Sequence, residues 1–148
     1  MITPEQVGER YLAVHHRMFR AVNDEMNECG LSLARTKVLL RLHDQGPSRQ
    51  SVLAVDFGLS PHSITDIIDG LERLGLAERR PDLTDRRAKL VAITDAGEAG
   101  LEVAKATRER LLKQIFGAMS DADRATLFRL LGSLDEAVSA SNVSHLGV

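Results

Sequence analysis

Tryptophan is absent from this chain of 148 residues, tyrosine and cysteine occur once each, and aromatic side chains make up only 3%. With 43% apolar residues overall, a packed core has to be built from Leu, Val, Ile and Ala, which suits helices packed on helices. The lone cysteine, Cys29, excludes an internal disulfide framework. No apolar run approaches the roughly 18 residues that a membrane span requires, and nothing resembles a cleavable leader. A cytoplasmic protein with no membrane contact is therefore expected. Excess positive charge is missing too. Nineteen Lys and Arg against 21 Asp and Glu leave a formal charge of −2, so any binding to nucleic acid has to come from local clustering.

The apolar periodicity that is present predicts helices along most of the chain. Thr3-Pro4-Glu5-Gln6 has the pattern of a capping box with proline at the first helical position, and Val7, Tyr11, Val14, Met18, Val22 and Met26 follow at spacings of three and four until Gly30. Ser32 caps a second segment that Gly46-Pro47 breaks. Ser48 is expected to open a third helix ending at Gly58, and Ser60-Pro61 to open a fourth that carries Ile64, Ile67, Ile68, Leu71 and Leu74 and stops at Gly75. The period then changes: residues 76–80 and 89–94 read as two strands of a hairpin with a charged tip. Asp95 with Glu98 fits a capping-box spacing for a long helix to about Met119, and Ser120 caps a last helix with Leu127, Leu130, Leu131, Leu134 and Val138 on one stripe.

The fold class that follows is mostly α with a small β-hairpin: a winged helix-turn-helix lobe over residues 31–94 and a helical dimerisation region over 1–30 and 95–141. Residues 142–148 form a Ser-containing tail with little reason to be ordered. In the lobe, Ala54 is small enough for a close helix crossing and Gly58 supplies the turn. Leu53, Phe57, Leu59, Ile64 and Ile67 are expected to face inward, leaving His62, Ser63, Thr65 and Asp66 free for solvent or a DNA groove.

The stretches LAVDFGLSPHSITDIIDGLERLGLAERR and DLTDRRAKLVAITDAG, in this order and separation, resemble the MarR family of bacterial transcription regulators, and the resemblance extends over nearly the whole chain. It implies a homodimer made by the first and the two last helices, with a recognition helix in the major groove of double-stranded DNA and a wing arginine in the minor groove. On that basis Ser60, His62, Ser63 and Thr65 are candidate contacts on the recognition helix, with Arg73, Arg86, Arg87 and Lys89 at its end and on the wing, and Asp85 orients Arg87. It also implies a near-palindromic operator, with half-sites about one helical turn apart, and release by a small aromatic or phenolic effector. No other cofactor is expected.

One departure concerns Asp66, which stands where many relatives carry a basic residue. Ser60 to Leu71 holds Asp66 and Asp69 with no Lys or Arg, so electrostatic attachment shifts to Arg73, Arg79, Arg80, Arg86, Arg87 and Lys89, opposed by Glu72, Glu78, Asp82 and Asp85. Asp66 is then a candidate acceptor for a cytosine amine or simply part of a solvated face. The alternative function is a protein–protein module that kept the fold and lost DNA binding. His15 and His16 are adjacent and point to different sides of a helix, which is not the spacing of a zinc pair. Cys29 reads as a small buried apolar residue rather than an oxidant sensor. No arrangement of nucleophile, base and orienting group suggests an enzyme.

Overall fold

The computed structural model describes residues 1–141, so the expectation about the tail lies outside the described residues. Six helices and three strands follow in the order α1 (Pro4–Glu28), α2 (Leu33–Gln45), β1 (Ser48–Arg49), α3 (Gln50–Phe57), α4 (Pro61–Arg73), β2 (Ala77–Pro81), β3 (Lys89–Ile93), α5 (Asp95–Gly117) and α6 (Asp121–Ala140). The described chain forms two compact units, Met1–Arg108 and the residues from Glu109 on.

Local chemistry sets the helix ends. Thr3 Oγ1 accepts from the Gln6 amide at 3.3 Å while Gln6 Oε1 accepts from the Thr3 amide at 3.0 Å, so two otherwise unpaired donors are satisfied at the start of α1. Ser32 accepts from the Arg35 amide at 3.2 Å, and Ser120 from that of Asp123 at 3.1 Å. The long helix α5 differs from expectation in its cap. Thr94, not Asp95, accepts from the Gly97 amide at 3.0 Å, because Asp95 is already the first helical residue.

In the first unit the core is aliphatic. Met26, Leu39, Leu42, Leu53, Ile64, Ile68, Leu71, Val91 and Leu101 are fully buried, each Leu or Ile contributing about 1.5–3 kcal/mol of burial free energy. The inward set of the helix-turn-helix is shifted from the expected one. Leu53, Ile64 and Ile68 are buried, Phe57 and Ile67 are only half-buried, and Leu59 is exposed, since Leu59 belongs to the turn itself.

The expected hairpin is present as β2 and β3, and the sheet adds a third strand to it. Ser48 does not cap α3; Ser48–Arg49 is a short edge strand, and the strand order is β1-β3-β2. Ser48 pairs with Val91 and Arg49 with Leu90, while Ala77 to Pro81 pairs antiparallel with Ile93 to Lys89. The added strand ties the start of α3 directly to the wing.

Candidate nucleic-acid interface

Between α3 and α4 the chain reverses through Gly58, whose φ of +62° lies in the left-handed region that glycine adopts without a Cβ penalty. The Leu59 amide donates to the Ala54 carbonyl at 2.9 Å and closes α3. Ala54 itself is buried where α3 meets α4. Ser60 then caps α4 through the Ser63 amide at 3.1 Å, and Pro61 occupies the first helical position. Because Ile64, Ile68 and Leu71 hold one face of α4 in the core, His62, Asp66, Asp69 and Arg73 project along the opposite stripe.

The structure distributes the expected contacts on α4 unequally. His62 is 87% exposed and its Nε2 lies 3.4 Å from Asp66 Oδ2, one turn along. The Ser63 and Ser60 hydroxyls are 2.9 Å apart, so both serve the cap. Thr65 is half-buried rather than open. Its hydroxyl donates to the Pro61 carbonyl at 2.7 Å and accepts from the Gln50 amide group, which fixes α4 against the start of α3.

Asp82 organises the base of the wing. Its Oδ1 accepts from the Thr84 amide at 2.9 Å and the Thr84 hydroxyl at 2.8 Å, and its Oδ2 accepts from Arg49 Nε at 3.0 Å and Nη2 at 2.7 Å. Only 7% of Asp82 is exposed. The Thr84 amide, then Arg49 and the Thr84 hydroxyl, hold its carboxyl at a pKa of about 2. The same pairing raises the pKa of Arg49. Beyond Asp82, the Asp82 amide donates to the Ala88 carbonyl at 3.1 Å and the Ala88 amide to the Asp85 carbonyl at 3.0 Å, closing the tip.

Asp85 does not reach the Arg87 guanidinium. Its Oδ1 accepts from the Arg87 backbone amide at 3.0 Å, and its Oδ2 lies 3.8 Å from Arg49. It shapes the turn from which Arg87 projects, because an aspartate two residues upstream naturally closes such a turn on the backbone.

Two of the six expected cations are committed elsewhere. Arg79 Nη2 donates to Asp69 at 2.6 Å and to Gln50 at 3.2 Å, and Nη1 pairs with Glu72, so one guanidinium joins β2, α4 and α3. Partial burial opposes its charge, but Asp69 and Glu72 more than offset this and raise its pKa. Arg80 pairs with Glu78. Arg86, Arg87 and Lys89 are exposed, and their side chains make no hydrogen bond or ion pair among the described residues. Arg73 adds a long contact, 3.4 Å, to the Asp69 carbonyl.

Arg49 and Gln50, to which sequence reasoning gave no role, and Arg79 and Asp82, which it counted only as charges facing DNA, are therefore positioning residues. Asp82-Leu83-Thr84 carries a side-chain turn signal, but nothing in the sequence links it to Arg49, 33 positions earlier. Cys29 also departs from expectation. It is exposed at the end of α1, with Sγ 3.9 Å from Thr107 Oγ1, because the helix ends before the chain turns into the core at Leu31. Among the described residues no group of three or more His, Cys, Asp or Glu could hold a metal ion, and no helix is long and apolar enough to cross a membrane.

Comparison with known proteins agrees with this geometry. The MarR family pattern matches residues 31–89, the interval from the start of α2 to the far side of the wing. The regulator YdgJ of Bacillus subtilis is 29% identical over 105 residues, which are 71% of this chain and 64% of that protein. The transcriptional repressor YetL of the same organism is 30% identical over 112 residues, covering 74% of this chain and 67% of YetL. A MarR-family regulator structure from Rhodococcus sp. RHA1 superposes with a TM-score of 0.68 at 27% identity, over 90% of this chain and 96% of that one. With a recognition helix and a three-stranded wing in one lobe, this chain belongs to the MarR family of DNA-binding transcription regulators.

Proposed function

We propose that the protein is a ligand-responsive repressor that acts in the cytoplasm as a homodimer on a near-palindromic operator. It works by binding alone, with no catalytic step and no cofactor. The observation that carries the reading is the exposed stripe of α4 in the same lobe as a wing whose Arg86, Arg87 and Lys89 are unpaired among the described residues, while the neighbouring arginines are neutralised. Free guanidinium groups held on a braced hairpin suit the negative potential of a narrow minor groove.

Homodimerisation is supported by apolar surface outside the lobe. On α1, Tyr11 and Phe19 are exposed and flank His15, with ring centroids 6.0 Å and 6.4 Å apart. On α6 no residue is buried, and Phe128 is 84% exposed with Leu131, Leu134 and Val138 also open. A helix with such a stripe needs a partner. For the effector, a hollow of about 250 Å³ is lined by Cys29, Leu31, Leu74, Leu76, Val103 and Ala104, a volume and polarity that suit a small aromatic or phenolic molecule. Such a ligand would release DNA by favouring the binding-incompetent state.

The test is a salt titration of DNA affinity on a duplex from upstream of the protein's own gene. Affinity is expected to fall steeply with salt, and Arg87→Ala to flatten the log–log slope by about one unit per wing. An unchanged slope would remove Arg87 from the interface.

A further inference from the structure

We propose that Asp66 is a base-reading residue that selects cytosine at one position in each half of the operator. The proposal rests on the DNA-binding role of α4 and adds the chemistry that this helix reads.

Candidate readers on α4 are few. Base edges are reached by the N-terminal part of a recognition helix, and between Ser60 and Glu72 there is no Lys or Arg, so the commonest guanine contact is not available from this segment. Ser60 and Ser63 serve the cap, and Thr65 is held by Pro61 and Gln50. His62 and Asp66 remain in the first two turns. The three carboxylates of the helix are not equivalent. Asp69 and Glu72 bind Arg79 and brace the wing against α4, while Asp66 is 65% exposed and, among the described residues, its only ion pair is to His62 at 3.4 Å. Arg35 and Arg73 line the same surface hollow without forming an ion pair to it.

A carboxylate offers acceptors only. Brought into a major groove, it meets acceptors on guanine (N7 and O6) and on thymine (O4), and is repelled. The adenine amine stands beside N7, another acceptor, which faces the second carboxylate oxygen. Cytosine presents its N4 amine as a donor, and it is the base that Asp and Glu match. Asp66 thus converts the missing cations of α4 from a loss of affinity into a rule about sequence, with Arg86, Arg87 and Lys89 left to supply attraction.

The test is selection of bound duplexes from a randomised library by the full chain and by its Asp66→Asn and Asp66→Ala variants, followed by sequencing. The wild type is expected to enrich cytosine at one symmetry-related position per half-site by about tenfold over other bases. Asp66→Asn keeps the shape of the side chain but gains a donor, so the same position is expected to change to adenine, whose N6 and N7 a carboxamide engages together. Asp66→Ala is expected to lose the cytosine preference there without gaining adenine, and to keep the remaining positions. Identical consensus sites for all three proteins would overturn the assignment while leaving DNA recognition intact. Failure of the wild type to enrich any site would overturn sequence reading altogether, and this assignment with it.

Discussion

Gly97 marks the place where the long helix α5 leaves the DNA-binding lobe, and replacing it tests how tightly the two are joined. A Cβ built on Gly97 would lie 2.0 Å from the Leu76 carbonyl oxygen and 2.7 Å from Ile93 Cγ1. The nearer neighbour is backbone, so relief requires the first turn of α5 to move away from the loop after α4 by at least about 1 Å. That loop is tied to the same turn: the Thr94 amide donates to the Leu76 carbonyl at 3.1 Å and the Thr94 hydroxyl to the Gly75 carbonyl at 2.6 Å. Overpacking of this kind costs about 1–3 kcal/mol, and a strained hydrogen bond at Leu76 adds about 1 kcal/mol. The better helix propensity of alanine returns about 1 kcal/mol. Gly97→Ala is expected to be destabilised by about 2 kcal/mol.

Gly100, one turn further on, supplies the comparison. Its Cβ would meet Leu76 Cδ2 at 3.4 Å and Leu31 Cδ1 at 3.5 Å, both flexible side-chain ends at contact distance. Gly100→Ala therefore keeps the propensity gain with little penalty, and its stability should match or exceed the wild type by up to about 1 kcal/mol. Thermal unfolding followed by circular dichroism, at one fixed protein concentration, reads the difference. For a chain of this length about 2 kcal/mol corresponds to roughly 4–8 °C. If Gly97→Ala melts within about 2 °C of the wild type, or above Gly100→Ala, the close approach of α5 to Leu76 is not a real constraint.

Further outcomes follow from the turn and the wing. Gly58→Ala places a side chain at φ +62° and should cost about 1–2 kcal/mol in urea unfolding; a wild-type midpoint would contradict that backbone conformation. Asp82 has a folded pKa of about 2 against an ordinary 3.8, so its contribution to stability is complete above pH ~4 and is lost as pH falls toward 2. Acid unfolding between pH 5 and 2 should accordingly lose this component in Asp82→Asn, and equal acid sensitivity of the two proteins would show that Thr84 and Arg49 do not hold the Asp82 carboxylate.

Much of this architecture is legible along the chain because helices announce themselves locally. Thr3 and Gln6, Ser32, Ser60 and Ser120 are caps whose partners lie three residues away, and Gly30, Gly46 and Gly75 close the segments that the first three open. Features that depend on residues far apart in sequence are not legible in this way. A two-residue strand has no periodicity to detect, so Ser48–Arg49 becomes a strand only when Val91 and Leu90 are alongside. Thr94 and Asp95 both satisfy local cap chemistry, and it is the Gly75 carbonyl, 19 residues earlier, that accepts from Thr94 and fixes the choice. At the site, residue types on α4 are visible, but whether each is free is decided by α3 and β2. Gln50 reaches Thr65, and Arg79 takes Asp69 and Glu72, leaving Asp66 for other work.

The same pairing resolves the difficulty raised by a net charge of −2. Counted by type, the segment from α4 to the wing has six cations against six acids, no excess for DNA binding. Arg79 and Arg80 are spent on Asp69, Glu72 and Glu78, while Arg49 neutralises Asp82 from outside the segment. What remains facing solvent is Arg73, Arg86, Arg87 and Lys89 with the single acid Asp66 beside His62, while Asp85 is turned toward its own backbone and Arg49. Screening over about 8 Å at physiological salt separates these cations from acids elsewhere on the surface. If all four met phosphates, the log–log salt slope would be roughly −3.6 for one copy and −7 for two. One copy therefore attaches weakly and loses most of its hold with modest salt, so operator occupancy by the proposed homodimer is set as much by pairing of subunits as by the lobe itself.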